Sequence, residues 1–170
     1  AEPLTANPVA FWLEPGGDVL VAETYRQSDP GGVPDNRDHV YWQDDDISCM
    51  NVDDRRRMYL KHHPEYAEKW TVHHDLIRRL RDTDGDGKLD EGVVLADGFN
   101  NILDGTGAGV ISRGNKTWYT CIPDLWMLED TDGDGQADKR TSLHTGFGVR
   151  VALRGHDMHG LRFGPDGRLY

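Results

Sequence analysis

Two short acidic segments have the residue types and spacing of a cation-binding loop. Residues 82–90 read Asp-Thr-Asp-Gly-Asp-Gly-Lys-Leu-Asp, and residues 130–138 read Asp-Thr-Asp-Gly-Asp-Gly-Gln-Ala-Asp. The second segment begins 48 residues after the first, at residue 130 rather than 82. Carboxylates at alternate positions with glycine at the sixth let a short loop surround a hard cation with oxygen atoms, which suits Ca²⁺ better than Mg²⁺.

The loop pattern assigns five metal ligands to each segment. Carboxylates supply the first, third, fifth and ninth positions, the ninth directly or through water, and a backbone carbonyl supplies the seventh. The predicted ligands of the first loop are Asp82, Asp84, Asp86, the carbonyl of Lys88, and Asp90. Those of the second loop are Asp130, Asp132, Asp134, the carbonyl of Gln136, and Asp138.

Neither segment is a complete EF-hand loop. The twelfth position, where an EF-hand has a bidentate Glu, is Val93 in one and Thr141 in the other. The missing ligand lowers the expected affinity, or a residue such as Glu91 supplies it. The loops resemble the acidic calcium loops of extracellular repeat modules, so we expect calcium to be structural here. The alternative is a pair of solvated Asp/Gly turns.

Composition and charge limit the functional class. The chain has 170 residues with 36% hydrophobic residues, 20 glycines and a net charge of −11. The negative charge argues against nucleic acid or an anionic membrane surface as partner. No apolar run approaches membrane-spanning length. Cys49 and Cys121 are the only cysteines, and they are either one disulfide or two buried thiols.

The chain between and around the loops has the pattern of short β-strands. Apolar runs flank a Pro/Gly turn at residues 14–18, and another at residues 164–167, which predicts a hairpin at each end of the chain. Further strands are predicted at 92–99, 109–112, 117–121, 125–128 and 141–147. A repeat of about fifty residues has the length of one four-stranded propeller blade. We therefore predict an all-β fold, a partial β-propeller of roughly three blades forming a single incomplete domain over residues 1–170.

Residues 51–81 lack the strand alternation, and we predict a short helical insertion there. Asn51 or Asp53 suits a helix N-cap, and Pro64 suits the first turn of a second helix. The insertion contains the histidine pairs at 62–63 and 73–74. Adjacent helical residues do not share a face, so we expect surface histidines rather than metal ligands.

Both termini suggest processing or truncation. The first four residues have the look of a mature end after cleavage behind a small residue, which predicts a periplasmic or secreted protein. The strand that includes Tyr170 is interrupted there, so we expect the sequence to be a piece of a longer protein.

Three stretches carry a family resemblance. They are residues 21–26 (Val-Ala-Glu-Thr-Tyr-Arg), 121–126 (Cys-Ile-Pro-Asp-Leu-Trp, before the second acidic loop) and 155–160 (Gly-His-Asp-Met-His-Gly). His156 stands eight residues before Gly164 of a Gly-Pro-Asp turn, as in the soluble glucose/sorbosone dehydrogenase-like quinoprotein propellers. The whole chain more closely resembles the N-terminal propeller of large planctomycete-type proteins with membrane-bound dehydrogenase domains, which often carry a c-type haem domain further along.

The resemblance implies a sugar- or alcohol-oxidising site with pyrroloquinoline quinone as hydride acceptor. His156 would be the general base, with His159 as its rival. Arg150, Arg154 or Arg162 would pair with the carboxylates of the quinone. The chain departs from the dehydrogenase pattern at residues 157–159, and it contains no CxxCH motif for covalent haem, so a c-type cytochrome domain would be a partner.

Two functions remain open on this basis. The first is the N-terminal part of a calcium-stabilised, quinoprotein-like sugar or alcohol dehydrogenase. The second is a non-enzymatic calcium-binding propeller that serves as an interaction module or accessory subunit of a larger complex. Under this second reading, His156 and His159 are structural loop residues.

Overall fold

The computed structural model describes residues 4–27, 33–34, 39–151 and 157–170, without the side chains of residues 66 and 67. The chain is mostly β, as predicted, and forms two four-stranded antiparallel sheets. The first sheet contains β1 (Pro8–Leu13), β2 (Val19–Glu23), β3 (Asp75–Arg81) and β4 (Glu91–Phe99). The second contains β5 (Gly109–Arg113), β6 (Lys116–Cys121), β7 (Asp124–Glu129) and β8 (Lys139–Thr145).

Each sheet follows the order of its strands in the chain. The orders are β1-β2-β3-β4 and β5-β6-β7-β8, so both sheets are meanders. The predicted first hairpin is confirmed, with Glu14 N–H donating to the Asp18 carbonyl at 2.9 Å across its turn. The sheet boundary lies between β4 and β5. The acidic loops therefore lie within the sheets, each before the last strand of its sheet.

Helices occupy the long connection between β2 and β3. A 3₁₀ turn (Val40–Trp42) leads into α1 (Gln43–Ser48), followed by α2 (Val52–His62) and α3 (Tyr66–Lys69). Asn51 caps α2 as predicted, and its side chain accepts the Asp54 N–H at 3.0 Å.

The predicted bounds of the helical insertion, 51–81, were wrong at both ends. Helical structure begins before residue 51, and β3 takes up residues 75–81. The alternation of β3 is hidden because arginines occupy both faces of this inner strand. Arg78 pairs with Glu23 at 2.9 Å and Arg79 with Glu14 at 3.0 Å, and these partners compensate for their charge.

The main core lies between the two sheets. Leu20, Ile77 and Phe99 from the first sheet meet Tyr119 and Leu128 from the second, and all five are almost completely buried. A second apolar cluster fixes the helices, with Trp42, Met58, Tyr59 and Trp70 as its largest members. No helix in the described part of the chain is long and apolar enough to cross a membrane.

A buried polar junction fixes the connection from β4 to β5. The Asp75 carboxylate accepts the Gly107 N–H at 2.8 Å, the Tyr25 N–H at 2.8 Å and the Thr24 hydroxyl at 3.0 Å. Burial is the largest influence on the pKa of Asp75 and raises it, whereas these hydrogen bonds oppose the shift.

Arg26 completes this junction from the end of β2. Its guanidinium donates to the carbonyls of Gly105 at 2.9 Å and Asn101 at 3.1 Å, although only 1% of the residue is exposed. Because Arg26 and Asp75 both bind the 100–108 connection, they set where the second sheet starts relative to the first.

The C-terminal residues form the predicted second hairpin. Arg162 and Tyr170 exchange two backbone hydrogen bonds of 2.8 Å, and Phe163 bridges to Leu169. The Phe163 ring packs edge-on against Trp118 of β6, with 5.2 Å between centroids. The hairpin therefore covers the face of the second sheet that is turned away from the first.

We expect Arg26→Met to destabilise the protein by about 2–5 kcal/mol, because it removes the guanidinium donors of the buried Gly105 and Trp70 carbonyls. Urea unfolding followed by tryptophan fluorescence measures the change. Arg56→Met on the exposed side of α2 is the matched control and should stay within about 0.5 kcal/mol of wild type. Equal effects of the two substitutions would contradict the role given to Arg26.

Candidate functional site: the paired acidic loops

The two acidic loops occupy equivalent places in the two sheets. Residues 82–90 connect β3 to β4, and residues 130–138 connect β7 to β8. Each loop is thus the turn between the third and fourth strands of its sheet, so the sequence repeat reflects a structural repeat.

The first aspartate of each loop organises the turn around its own carboxylate. Asp82 accepts the N–H groups of Gly85 at 2.7 Å and Gly87 at 2.8 Å. In the second loop Asp130 accepts those of Gly133 at 2.7 Å and Gly135 at 3.0 Å. All four glycines have positive φ, a conformation that other residues adopt only with strain, which explains glycine at these positions.

The remaining aspartates repeat their bonds as well. Asp84 accepts the Asp86 N–H at 3.1 Å, and Asp86 accepts the Lys88 N–H at 2.8 Å. The ninth-position carboxylate binds the threonine at the second position through both its N–H and its hydroxyl, which are Thr83 with Asp90 and Thr131 with Asp138. Most hydrogen bonds of these carboxylates therefore go to amides of the same loop, and these bonds fix the conformation of each loop.

Carboxylate oxygens converge in both loops. One oxygen each from Asp82, Asp84 and Asp86 lie within 4.8 Å of one another, and so do oxygens from Asp130, Asp132 and Asp138. The two carboxylate groups differ in one member: the first includes the fifth-position residue, Asp86, and the second includes the ninth-position residue, Asp138. Together they include four carboxylate positions of the sequence prediction.

Backbone donors favour the ionised form of one carboxylate in each loop. The N–H of Gly87 is the largest influence on Asp82 and lowers the pKa of its carboxyl. The N–H of Thr131 does the same for the pKa of Asp138. Three converging anionic oxygens on a preformed loop are a suitable set of donors for a hard divalent cation, so the residues fit Ca²⁺.

The surroundings of the two loops differ. The second loop packs on the first sheet, where the Ala137 N–H donates to the Leu95 carbonyl at 2.8 Å and Arg79 lies 4.0 Å from Asp130. Arg81 lies directly over Gly135, which is buried. The equivalent glycine of the first loop, Gly87, is exposed and has open space around it.

Only some of the candidate catalytic and quinone-binding residues lie in the described part of the chain. His156 and Arg154 lie outside the described residues. Arg150 lines a cavity of about 640 Å³, and His159 lines a neighbouring cavity of about 380 Å³. Arg162 lies in the terminal hairpin and lines neither cavity.

Asp157 is a site residue that the sequence reasoning missed. It borders both cavities, and its Oδ2 accepts the Thr106 N–H at 2.9 Å. Its other oxygen, Oδ1, is buried and has no hydrogen-bond partner. Asp157 belongs to no repeated motif, so the only sequence feature that could have pointed to it is its position between two histidines.

The histidine pair at 62–63 contacts neighbouring carboxylates. His62 contacts Asp45 at 2.5 Å and His63 contacts Glu65 at 3.3 Å, and their side chains are only 18% and 16% exposed. These two histidines are therefore more buried than the surface histidines that the sequence predicted.

Cys49 and Cys121 are both buried free thiols, which is one of the two alternatives that the sequence left open. Burial raises the pKa of the Cys121 thiol well above its usual value.

Asp104, on the connection beside this region, generates a pH prediction. Burial raises the pKa of its carboxyl to about 6, so the folded state holds this proton more tightly than the unfolded chain. The protonated carboxyl stabilises the fold at acid pH, and that stabilisation is lost as pH rises from about 4 to about 6. We expect Asp104→Asn to raise stability at pH 7 by about 1–2 kcal/mol relative to wild type.

Urea unfolding at pH 4.5, 6 and 7.5 measures this effect. The gain from Asp104→Asn should be largest at pH 7.5 and smallest at pH 4.5. Asp53→Asn on α2 is the control. A gain that does not depend on pH would show that Asp104 does not titrate in this range.

Comparison with known proteins gives one match. No curated protein matches the chain, and no solved structure does. A family model described as "Domain of unknown function (DUF7133)" matches residues 1–170. Since this match covers the full sequence, the chain belongs to the DUF7133 family.

Proposed function

We propose that this chain is a calcium-binding part of a β-propeller, in which two equivalent Ca²⁺ loops brace successive four-stranded blades. The observation that carries the proposal is the repeat of the same carboxylate–amide loop between the third and fourth strands of both sheets. A solvated turn needs no convergence of three carboxylates, because like charges at this distance repel each other. A bound divalent cation removes that repulsion.

The arrangement of the sheets supports the propeller part of the proposal. Two meanders of the same order pack face to face, and the 161–170 hairpin covers the next face in the same direction. A blade-by-blade stack is built in this way. The closed ring would need further sheets.

Calcium would act as a structural ion here. The loops lack the bidentate twelfth ligand, so affinity in the range of extracellular modules, about 10⁻⁴–10⁻³ M, is expected. That range matches a periplasmic or secreted location. The second loop would transmit the binding energy to the sheet–sheet contact, because Ala137 and Arg79 already connect it to the first sheet.

Calcium titration by calorimetry, after removal of metal by a chelator, tests the proposal. We expect two sites in the wild type and one in either Asp84→Asn or Asp132→Asn, since each substitution removes a charge from one loop. Saturating calcium at about 100 times Kd should stabilise the fold by about 2.7 kcal/mol per site. The double variant should bind none and should gain no thermal stability.

Asp166→Asn is the matched control for these variants. Asp166 accepts the Arg168 N–H at 3.1 Å, the same bond that Asp84 makes with Asp86, but it belongs to no carboxylate cluster. This variant should keep both sites. Absence of calcium binding at millimolar concentration in the wild type would refute the proposal.

A second candidate function, a quinoprotein-type sugar or alcohol oxidoreductase, is favoured by the larger cavity. Phe147, Met50 and Met158 give it apolar walls, and Arg150 gives it a cation. The apolar walls and Arg150 suit a planar, aromatic molecule with a carboxylate, such as pyrroloquinoline quinone, which when bound supplies the hydride acceptor. The Asp157 carboxylate on the same lining opposes its negative charge, so the carboxylate would bind on the Arg150 side. Arg150 would bind a carboxylate, and His156 or His159 would accept the hydroxyl proton of the substrate.

Binding of pyrroloquinoline quinone to the calcium-loaded protein tests this second function. We expect stoichiometric binding in a fluorescence titration, weakened about 10- to 150-fold by Arg150→Ala, because a charge-assisted hydrogen bond contributes about 1.5–3 kcal/mol. Arg162→Ala, outside both cavities, should bind as tightly as wild type. Calcium binding without quinone binding would leave the calcium proposal intact and eliminate the oxidoreductase.

A further inference from the structure

The carboxylate of Asp157 carries a negative charge that the surrounding protein compensates only in part. Its Oδ2 accepts the N–H of Thr106 at 2.9 Å and the hydroxyl of the same residue, whereas Oδ1 is buried and has no donor within the described residues. No ion pair in the described ranges includes this carboxylate. Asp75 binds the next amide of the same connection, that of Gly107, and it receives donors at both oxygens. Asp157 therefore lacks a counterion that a ligand can supply.

The position of Asp157 is fixed by the second sheet and the connection that leads into it. Thr106 binds the side chain, and the hydroxyl of Thr120 in β6 donates to the carbonyl of the next residue, Met158, at 2.5 Å. A Cβ atom on Gly105 would lie 3.1 Å from Oδ1 and 2.4 Å from the Ile122 side chain. The glycine at residue 105 therefore leaves the room that this carboxylate occupies, and the carboxylate is held in place by the fold.

Asp157 separates two cavities whose linings differ in charge. Arg150 lines the larger one, of about 640 Å³, whereas no Lys or Arg among the described residues lines the one of about 380 Å³, which we call the smaller cavity. The other polar side chains on the lining of the smaller cavity are those of Gln27, Thr106 and His159. Its volume is within the usual range of small-molecule sites, about 300–1,000 Å³. The smaller cavity is therefore a polar site of negative charge.

We propose that the smaller cavity binds a small amino alcohol, with the protonated amine beside Asp157 and the hydroxyl beside His159. The ammonium group supplies the positive charge that Asp157 lacks, whereas a neutral alcohol or sugar would leave that charge uncompensated. The net charge of −11 also favours the approach of a cation. The proposal rests on the second candidate function for the reaction, and it names the substrate class of that site. Binding of the amine itself needs neither quinone nor calcium.

Two ligands that differ in one group test the proposal by calorimetric titration at pH 7.5. The first, trans-4-aminocyclohexanol, carries an ammonium at this pH, and the second, trans-1,4-cyclohexanediol, has a hydroxyl in its place. We expect the wild type to bind the amino alcohol at least about tenfold more tightly than the diol, because a charge-assisted hydrogen bond is stronger than a neutral one. Asp157→Asn keeps an acceptor for Thr106 and should bind both ligands about equally.

Two further variants separate the effect of Asp157 from that of other charges. Asp166→Asn removes an exposed carboxylate outside both cavities and should keep the preference for the amino alcohol. Gln27→Lys adds a cation to the lining of the smaller cavity, so it should abolish the preference although Asp157 is intact. This variant also provides the test if Asp157→Asn does not fold, which circular dichroism checks. All titrations are made with calcium and with chelator, because binding of amines at the acidic loops would differ between the two.

Three results would overturn the proposal. They are a wild type that binds neither ligand at millimolar concentration, a wild type that binds both equally, and an Asp157→Asn variant that keeps the preference. A separate titration with pyrroloquinoline quinone distinguishes this proposal from the oxidoreductase. Preference for the amino alcohol without quinone binding would support the cation site and eliminate the oxidoreductase, whereas quinone binding without that preference would eliminate the cation site alone.

Discussion

The fold depends on one buried ionic junction between the two sheets. Asp75 and Arg26 lie at the ends of adjacent strands, and both bind the backbone of the 100–108 connection. Burying a carboxylate and a guanidinium is unfavourable unless donors and acceptors compensate each charge. Here backbone groups bind both Asp75 oxygens and both terminal nitrogens of Arg26, whereas its Nε has no partner within the described residues. Because the compensating groups belong to the crossing between sheets, the two meanders have a fixed relative position. Replacing either charged residue would uncouple them.

The fixed position of the sheets explains why the two acidic loops differ despite nearly identical sequences. The second loop rests on β4 of the first sheet through Ala137, and the arginines of β3 reach it. The first loop has the same internal hydrogen bonds, and no second sheet packs on it within the described ranges. A local motif therefore determines the shape of each loop, whereas the stacking of the sheets determines what the loop contacts. Metal binding at the second loop would strengthen the core contact, and metal binding at the first would mainly rigidify a turn.

Local patterns predicted a large part of this structure. The hairpin at residues 8–23, the strands around the second loop and the equivalence of the loops all follow from turn residues and short apolar runs. Strand β3 was missed because Arg78 and Arg79 obscure its alternation, and their partners Glu23 and Glu14 are distant in sequence. Asp157 was missed for a similar reason, since its burial between two cavities depends on long-range packing. The quinone-binding and catalytic hypotheses came from resemblance, and residues such as His156 lie outside the described part of the chain.

The central claim, that the paired loops are equivalent calcium sites, is tested most directly by anomalous diffraction from crystals grown with Ca²⁺. The account predicts one peak in each loop, with carboxylate oxygens of Asp82, Asp84 and Asp86 at about 2.3–2.6 Å from the first ion. The second ion should have oxygens of Asp130 and Asp132 at the same distance. Peaks at both loops in equivalent positions would establish the repeat as a metal-binding repeat. Loops that bind only water at millimolar calcium would contradict the account and leave them as solvated turns.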